Sequence, residues 1–176
     1  IASINSGNNY NKLAIVDVNA SKTEITVDDG AFAYGIYANG KSNVDVEGNI
    51  DIVANGTSAF GVEAEDNAVV ELGDINSTVT FNVNADELDY SGESRAEAIA
   101  ARENNIVKVL GNMNATVTGR DWVSGVESED GSLVELGNVS LDVSTNGNEF
   151  SEASGINAAR KGTVNVNGDL KATVIG

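Results

Sequence analysis

Where this repetitive sequence breaks its own pattern, it gathers the side chains best suited to binding. One break is Asn84-Ala-Asp-Glu-Leu-Asp-Tyr-Ser-Gly-Glu-Ser-Arg95, and another is Thr145-Asn-Gly-Asn-Glu-Phe-Ser-Glu152. Between them, at the equivalent place in the pattern, lies Gly119-Arg120-Asp121-Trp122. Tyr90, Trp122 and Phe150 supply rings. Asp86, Glu87, Asp89, Glu149 and Glu152 supply carboxylates, and Arg95 and Arg120 supply guanidinium groups. Rings among hydrogen-bonding groups suit stacking on sugars or anchoring a protein partner. These residues form the candidate binding set and are expected to line one exposed edge. The competing expectation is that the loops merely cover the core, with the rings packed back onto it.

Composition narrows other chemistry. The chain has neither His nor Cys, which removes Ser-His-Asp triads, Cys nucleophiles, His-ligated zinc and thiolate metal sites. Glu63/Glu65/Asp66 and Glu127/Glu129/Asp130 offer the oxygens that Ca²⁺ wants. They match neither the EF-hand loop nor the Gly-rich nonapeptide pattern, so they are expected to be solvated corners, and no metal or cofactor is expected. With 27 acidic against 10 basic residues the net charge is −17. Such a surface repels nucleic-acid phosphates and anionic membranes. No apolar run approaches the roughly 18 residues of a membrane span, so this segment is not expected to insert directly.

The elements that position these groups follow from a repeat. Gly-(Ile/Val)-x-(Ala/Ser) is answered twelve or thirteen residues later by Gly-(Asn/Asp)-aliphatic, with copies starting at 35, 61, 98, 125 and 155. The third copy opens on Ala98 instead of Gly. Counting from each start as zero, positions +9 and +11 are Val44/Val46, Val70/Leu72, Val107/Val109, Val134/Leu136 and Val164/Val166. Aliphatics two apart with polar residues between them are strands with one buried face. The same alternation resumes after the second Gly, as in Ile50/Ile52 and Val139/Leu141/Val143. Ala38, Ala64, Ala101, Ser128 and Ala158 recur at +3 as a tight inner edge.

Three short strands per copy, joined by corners of Gly, Asn and Asp that tolerate positive φ, predict an all-β fold. The expected architecture is a right-handed, single-stranded parallel β-helix, a three-faced solenoid of about six coils. Residues 1–176 form one such segment, with loop insertions at 84–95 and 145–152. The first coil is partial, with Leu13–Val18 and Ile25/Val27 as its second and third strands. Tyr34 and Phe60 precede the Gly and are expected to pack with the parity of the buried Ile36 and Val62. Corners carry charge that alternates from acidic (Glu65-Asp66, Glu129-Asp130) to basic or mixed (Arg102-Glu103, Arg160-Lys161), which avoids like-charge stacking.

Stretches such as Tyr34-Gly-Ile-Tyr-Ala-Asn-Gly-Lys-Ser-Asn-Val-Asp-Val-Glu-Gly-Asn-Ile-Asp-Ile-Val53 and Gly155-Ile-Asn-Ala-Ala-Arg-Lys-Gly-Thr-Val-Asn-Val-Asn-Gly168 resemble the passenger domains of Gram-negative classical (type V) autotransporters. The resemblance covers nearly the whole chain. It implies a segment of a longer secreted β-helix, extracellular at the bacterial surface and anchored through a part outside this chain. Most such passengers are adhesins, self-aggregation factors or stalks. Serine-protease passengers need Gly-Asp-Ser-Gly with His, and neither occurs here.

The expected function is therefore adhesive or structural rather than enzymatic. The expected partners are a host or bacterial surface ligand, protein or glycan, or another copy of the chain. The alternative is a polysaccharide-degrading lyase or hydrolase built on the same fold, working through Asp/Glu pairs, though fold alone does not imply that activity. A further rival is a phage tail-spike shaft.

Overall fold

A computed structural model of the chain describes residues 2–4, 14–28, 32–81, 94–146 and 151–176. Every regular element among them is a β-strand. The first turn consists of β1 (Ala2–Ile4), β2 (Ala14–Val18) and β3 (Lys22–Asp28). Five further turns follow: β4 (Phe32–Asn39) with β5 (Ser42–Gly56); β6 (Ser58–Glu65) with β7 (Val69–Phe81); β8 (Arg95–Arg102), β9 (Ile106–Val109) and β10 (Met113–Gly119); β11 (Trp122–Ser128), β12 (Leu133–Leu136) and β13 (Val139–Thr145); and β14 (Glu152–Ala158), β15 (Thr163–Val166) and β16 (Leu170–Ile175).

All pairings are parallel, and each strand pairs with its counterpart one turn away. The first face stacks β1, β4, β6, β8, β11 and β14. The second runs β2, the start of β5, the start of β7, β9, β12 and β15. The third runs β3, the rest of β5 and β7, then β10, β13 and β16. The chain is thus a parallel β-helix, as the repeat predicts. In two turns, however, the second and third strands are one continuous element, β5 or β7. The register slips between Val46 and Asn49, where the strand bends from one face to the next. At the corresponding bend one turn apart, a Cβ on Gly137 would lie 2.3 Å from the Gly111 carbonyl oxygen, so only glycine lets successive turns approach so closely.

The predicted ladders fill the interior. Val44, Val46, Val70, Leu72, Val107, Val109, Val134 and Leu136 are buried, as are Ile50, Ile52, Ile75, Met113, Val117, Val139, Leu141 and Val143. Ala38, Ala64, Ala101 and Ser128 stack at the inner edge. In the last turn the same positions are more open: Val164 and Val166 are half-buried, and Leu170 and Val174 are exposed. No following rung covers them among the described residues.

The corner between the first and second faces is a pair of left-handed residues: Asp66/Asn67, Glu103/Asn104, Asp130/Gly131 and Arg160/Lys161 all have positive φ. Side chains satisfy the backbone there. Asn105, buried at the corner, accepts from the Ala68 N–H at 2.6 Å and donates to the Ala64 carbonyl at 2.9 Å.

Tyr34 and Phe60 require a correction. They do not share the side of Ile36 and Val62. A Cβ on Gly61 would meet Ser77 Oγ at 2.5 Å, inside the helix, and Val62 is also in the core. Two consecutive residues therefore face inward, and the register skips this position, glycine or in β8 Ala98, in the pairings of β4, β6, β8, β11 and β14. The slip turns the preceding residue outward: Tyr34 and Phe60 stack on each other on the outer side of the sheet, with centroids 5.3 Å apart, where Phe60 is buried, as a packing residue should be, and Tyr34 is half-buried.

Candidate functional site

Of the predicted binding set, Asp86, Glu87, Asp89, Tyr90, Glu149 and Phe150 lie outside the described residues. Trp122, Arg95, Arg120 and Glu152 are described. Trp122 is not at a corner: it is the first residue of β11 and pairs in register with Arg95 on one side and Glu152 on the other. Arg95 likewise opens β8 instead of belonging to a loop. The Arg95 guanidinium lies 5.8 Å over the Trp122 ring. The ring is half-buried, and its Nε1 is buried without a hydrogen-bond partner among the described residues. Arg120 pairs only loosely with its neighbour Asp121, at 3.6 Å. Asp121 accepts from both the N–H and the hydroxyl of Ser94, tying adjacent turns together.

The densest polar grouping is one the sequence reading missed. By strand alternation Glu63, Glu97 and Glu127 stand on the outer side of the first face, each between residues of the core. Arg102 gathers all three. Its Nη1 donates to Glu63 Oε1 at 2.6 Å, and its Nη2 donates to both oxygens of Glu97 and, at 2.7 Å, to Glu127 Oε2. Arg95 stands 3.6 Å from Glu97 and 3.8 Å from Glu127. The guanidinium of Arg102 also lies 5.6 Å over the Phe60 ring. Despite facing outward, Glu97 is 0% exposed and Glu127 1%, because the two arginines reach across them. Burial pushes the Glu63 carboxyl up to about 7 and Glu97 to about 8, against the opposing pull of Arg102.

This overturns the expectation that Glu63 and Glu127 sit at solvated corners: they are buried strand residues. Glu65 and Asp66 are half-buried at the corner, and Glu129 is buried there, with Glu129 and Asp130 both paired to Arg160. Among the described residues no group of three or more acidic side chains is placed to hold a metal ion. Arg102 takes up one oxygen of Glu63, both of Glu97 and one of Glu127. A signal for the cluster is present in the repeat. Copy three has the small Ala100 where its neighbours carry Glu63 and Glu127, and an Arg two residues on. A gap between two like charges, within reach of one guanidinium, calls for that cation.

The outer side of the third face is different in kind. Asp74 accepts from the Asn112 N–H at 2.6 Å and from Asn112 Nδ2 at 3.0 Å; Asn138 donates to Asn112 at 3.0 Å and accepts from the Asp169 N–H. In the next row Asn76 bridges Asp51 and Asn114 at 3.0 and 3.1 Å. Beyond these ladders a shallow depression of about 220 Å³ is lined by Asn76, Thr78, Asn114, Thr116, Ser140 and Asp142.

No protein-family model, curated protein or solved structure matches the chain.

Proposed function

We propose that the chain is a β-helical shaft displayed outside a bacterial cell, serving as an adhesin or self-aggregation module of the autotransporter-passenger kind. The supporting observation is the third face. It is a flat field of amide, hydroxyl and carboxylate groups repeated at the rung spacing of ~4.8 Å, with its shallow depression among them. Asn and Thr side chains both donate and accept, so such a face can pair with a glycan or with its own copy through many weak contacts. Individually weak, these contacts gain strength when many copies meet between two cells.

The same face carries Asp51, Asp74, Asp142 and Asp169, with Lys22 as the base paired to Asp51. Like charge therefore opposes self-contact at low salt and is screened at high salt. The test is settling of cells displaying the chain, from about 10 mM to about 500 mM salt. Clumping that rises with salt is the expected result. Absence of both clumping and adhesion to surface glycans or proteins at every salt concentration refutes the reading.

A further inference from the structure

On the outer side of the first face, an aromatic ring, a carboxylate and a guanidinium meet twice. Arg102 covers Phe60 and pairs with Glu63. Arg95 covers Trp122 beside Glu97 and Glu127. A third grouping, one rung toward the N-terminus, has the rings and the carboxylate. Phe32 stacks on Tyr34 with centroids 6.3 Å apart, and Tyr34 lies 4.8 Å from Tyr37. The Tyr37 hydroxyl donates to Glu65 Oε2 at 2.8 Å, and Asn39 Nδ2 donates to the same oxygen at 3.0 Å. Among the described residues no Lys or Arg pairs with Glu65 or lies over these three rings.

We propose that Phe32, Tyr34, Tyr37 and Glu65 form a binding site for an arginine side chain carried by a basic segment of a partner protein. The rings are reachable: Phe32 is 47% exposed, and Tyr34 and Tyr37 are half-buried. Glu65 Oε2 already accepts two bonds, while Oε1 is left for an incoming donor. The local field has the right sign. Burial is the first cause of the rise of the Tyr34 hydroxyl to about 12 and bears on any charge, but the Glu63 and Glu65 carboxylates raise it further, and carboxylates that resist a phenolate attract a cation. Arg102 opposes it only weakly, lying beyond Phe60 with its charge taken up by three glutamates. Arginine fits better than lysine because a planar guanidinium stacks on a ring while its fork meets a carboxylate. Both internal examples on this face use it. The chain's net charge of −17 draws basic segments in from a distance.

The probe is acetylated tri-arginine amide, titrated into the chain at about 150 mM salt while the tyrosine ring signals are followed by NMR. The Tyr34 and Tyr37 signals are expected to shift together and saturate. Glu65→Gln should weaken binding about three- to fivefold, the loss of one partly exposed charge pair. Tyr34→Leu should weaken it by a similar factor, about threefold. Glu71→Gln removes the same unit of charge from the second face and should leave the affinity unchanged. Circular dichroism checks that each variant is folded; if Tyr34→Leu is not, the comparison of Glu65→Gln with Glu71→Gln decides. Equal losses from those two variants would mean general attraction to an acidic protein and overturn the site. Binding that leaves both tyrosine signals unmoved overturns it as well. So does a shift of the rings by neutral cellotriose but not by tri-arginine, which would make the shelf a sugar platform instead.

Discussion

Replacing Arg102 with Met keeps a long apolar stem over Ala100 but deletes the charge that three buried glutamates share. In the wild-type chain Arg102 donates to Glu63, Glu97 and Glu127 at 2.6–2.7 Å with its own side chain 14% exposed. Without it, the one nearby cation among the described residues is Arg95, at 3.6 and 3.8 Å. Removing one partner from a buried ionic group costs about 3–5 kcal/mol, because the remaining charge is left uncompensated. Loss of the contact with Phe60 adds about 0.5–1 kcal/mol. At about 2–4 °C per kcal/mol for a chain of this size, the melting temperature should fall by roughly 10 °C. The penalty must also depend on pH. Glu63 and Glu97 already titrate near 7 and 8 with Arg102 present, and higher still without it. They can therefore neutralise themselves in acid, but at alkaline pH their charge must stay buried. Urea unfolding of both proteins at about pH 5, 7 and 9 measures this. The difference should be largest at pH 9 and fall well below half that value at pH 5. A difference under about 1 kcal/mol at pH 9, or one that does not change with pH, would refute the idea that Arg102 is the counter-charge of the cluster.

The wild-type protein carries its own pH signature. Because Glu63 and Glu97 are raised from the ordinary 4.5, the folded chain holds protons between about pH 4.5 and 8 that the unfolded chain has released, so stability is full below that window and falls as pH rises through it. The chain has no His; Glu97→Gln should flatten the slope between about pH 6 and 8, and an unchanged slope in denaturant titrations would contradict the assignment. Truncating Val107, fully buried in a middle turn, should cost about 2–4 kcal/mol. The equivalent truncation at the half-buried Val164 of the last turn should cost less than half as much. Equal losses in chemical unfolding would mean that position along the axis does not matter.

The fold could be read from the sequence because its main determinant is a local period. Aliphatics at +9 and +11 face inward whatever the rest of the chain does, and Val44 through Leu136 are buried accordingly. The first face was harder. A reading by strict alternation carries Tyr34 and Phe60 inward with Ile36 and Val62, whereas a small residue, Gly35 or Gly61 here and Ala98 in the third copy, lets two consecutive residues share one side. The glutamate–arginine cluster was hidden for another reason. Its members belong to three different copies, and Glu63 and Glu127 bracket a rung on which Ala100 leaves room. Each acid looks like a solvated charge within its own copy, and the pairing appears only when adjacent rungs are overlaid. Of the loop-based binding set, the sequence reading puts Trp122 at a corner in line with Tyr90 and Phe150; it is instead a strand residue paired with Arg95 and Glu152. That reading also misses that the indole is half-covered by that arginine.

A solenoid bears load along its axis one rung at a time, since each turn touches mainly its two neighbours. Arg102 concentrates these contacts in a single group: one guanidinium grips the turn before its own, its own turn and the turn after. A chain pulled from its C-terminal end would shed the β14–β16 turn by parting Arg160 from Glu129 and Asp130. The next turn could not leave until Glu127 let go of Arg102. The cluster is thus a latch in the middle of the shaft, dividing a ladder of similar rungs into a part that peels and a part that holds.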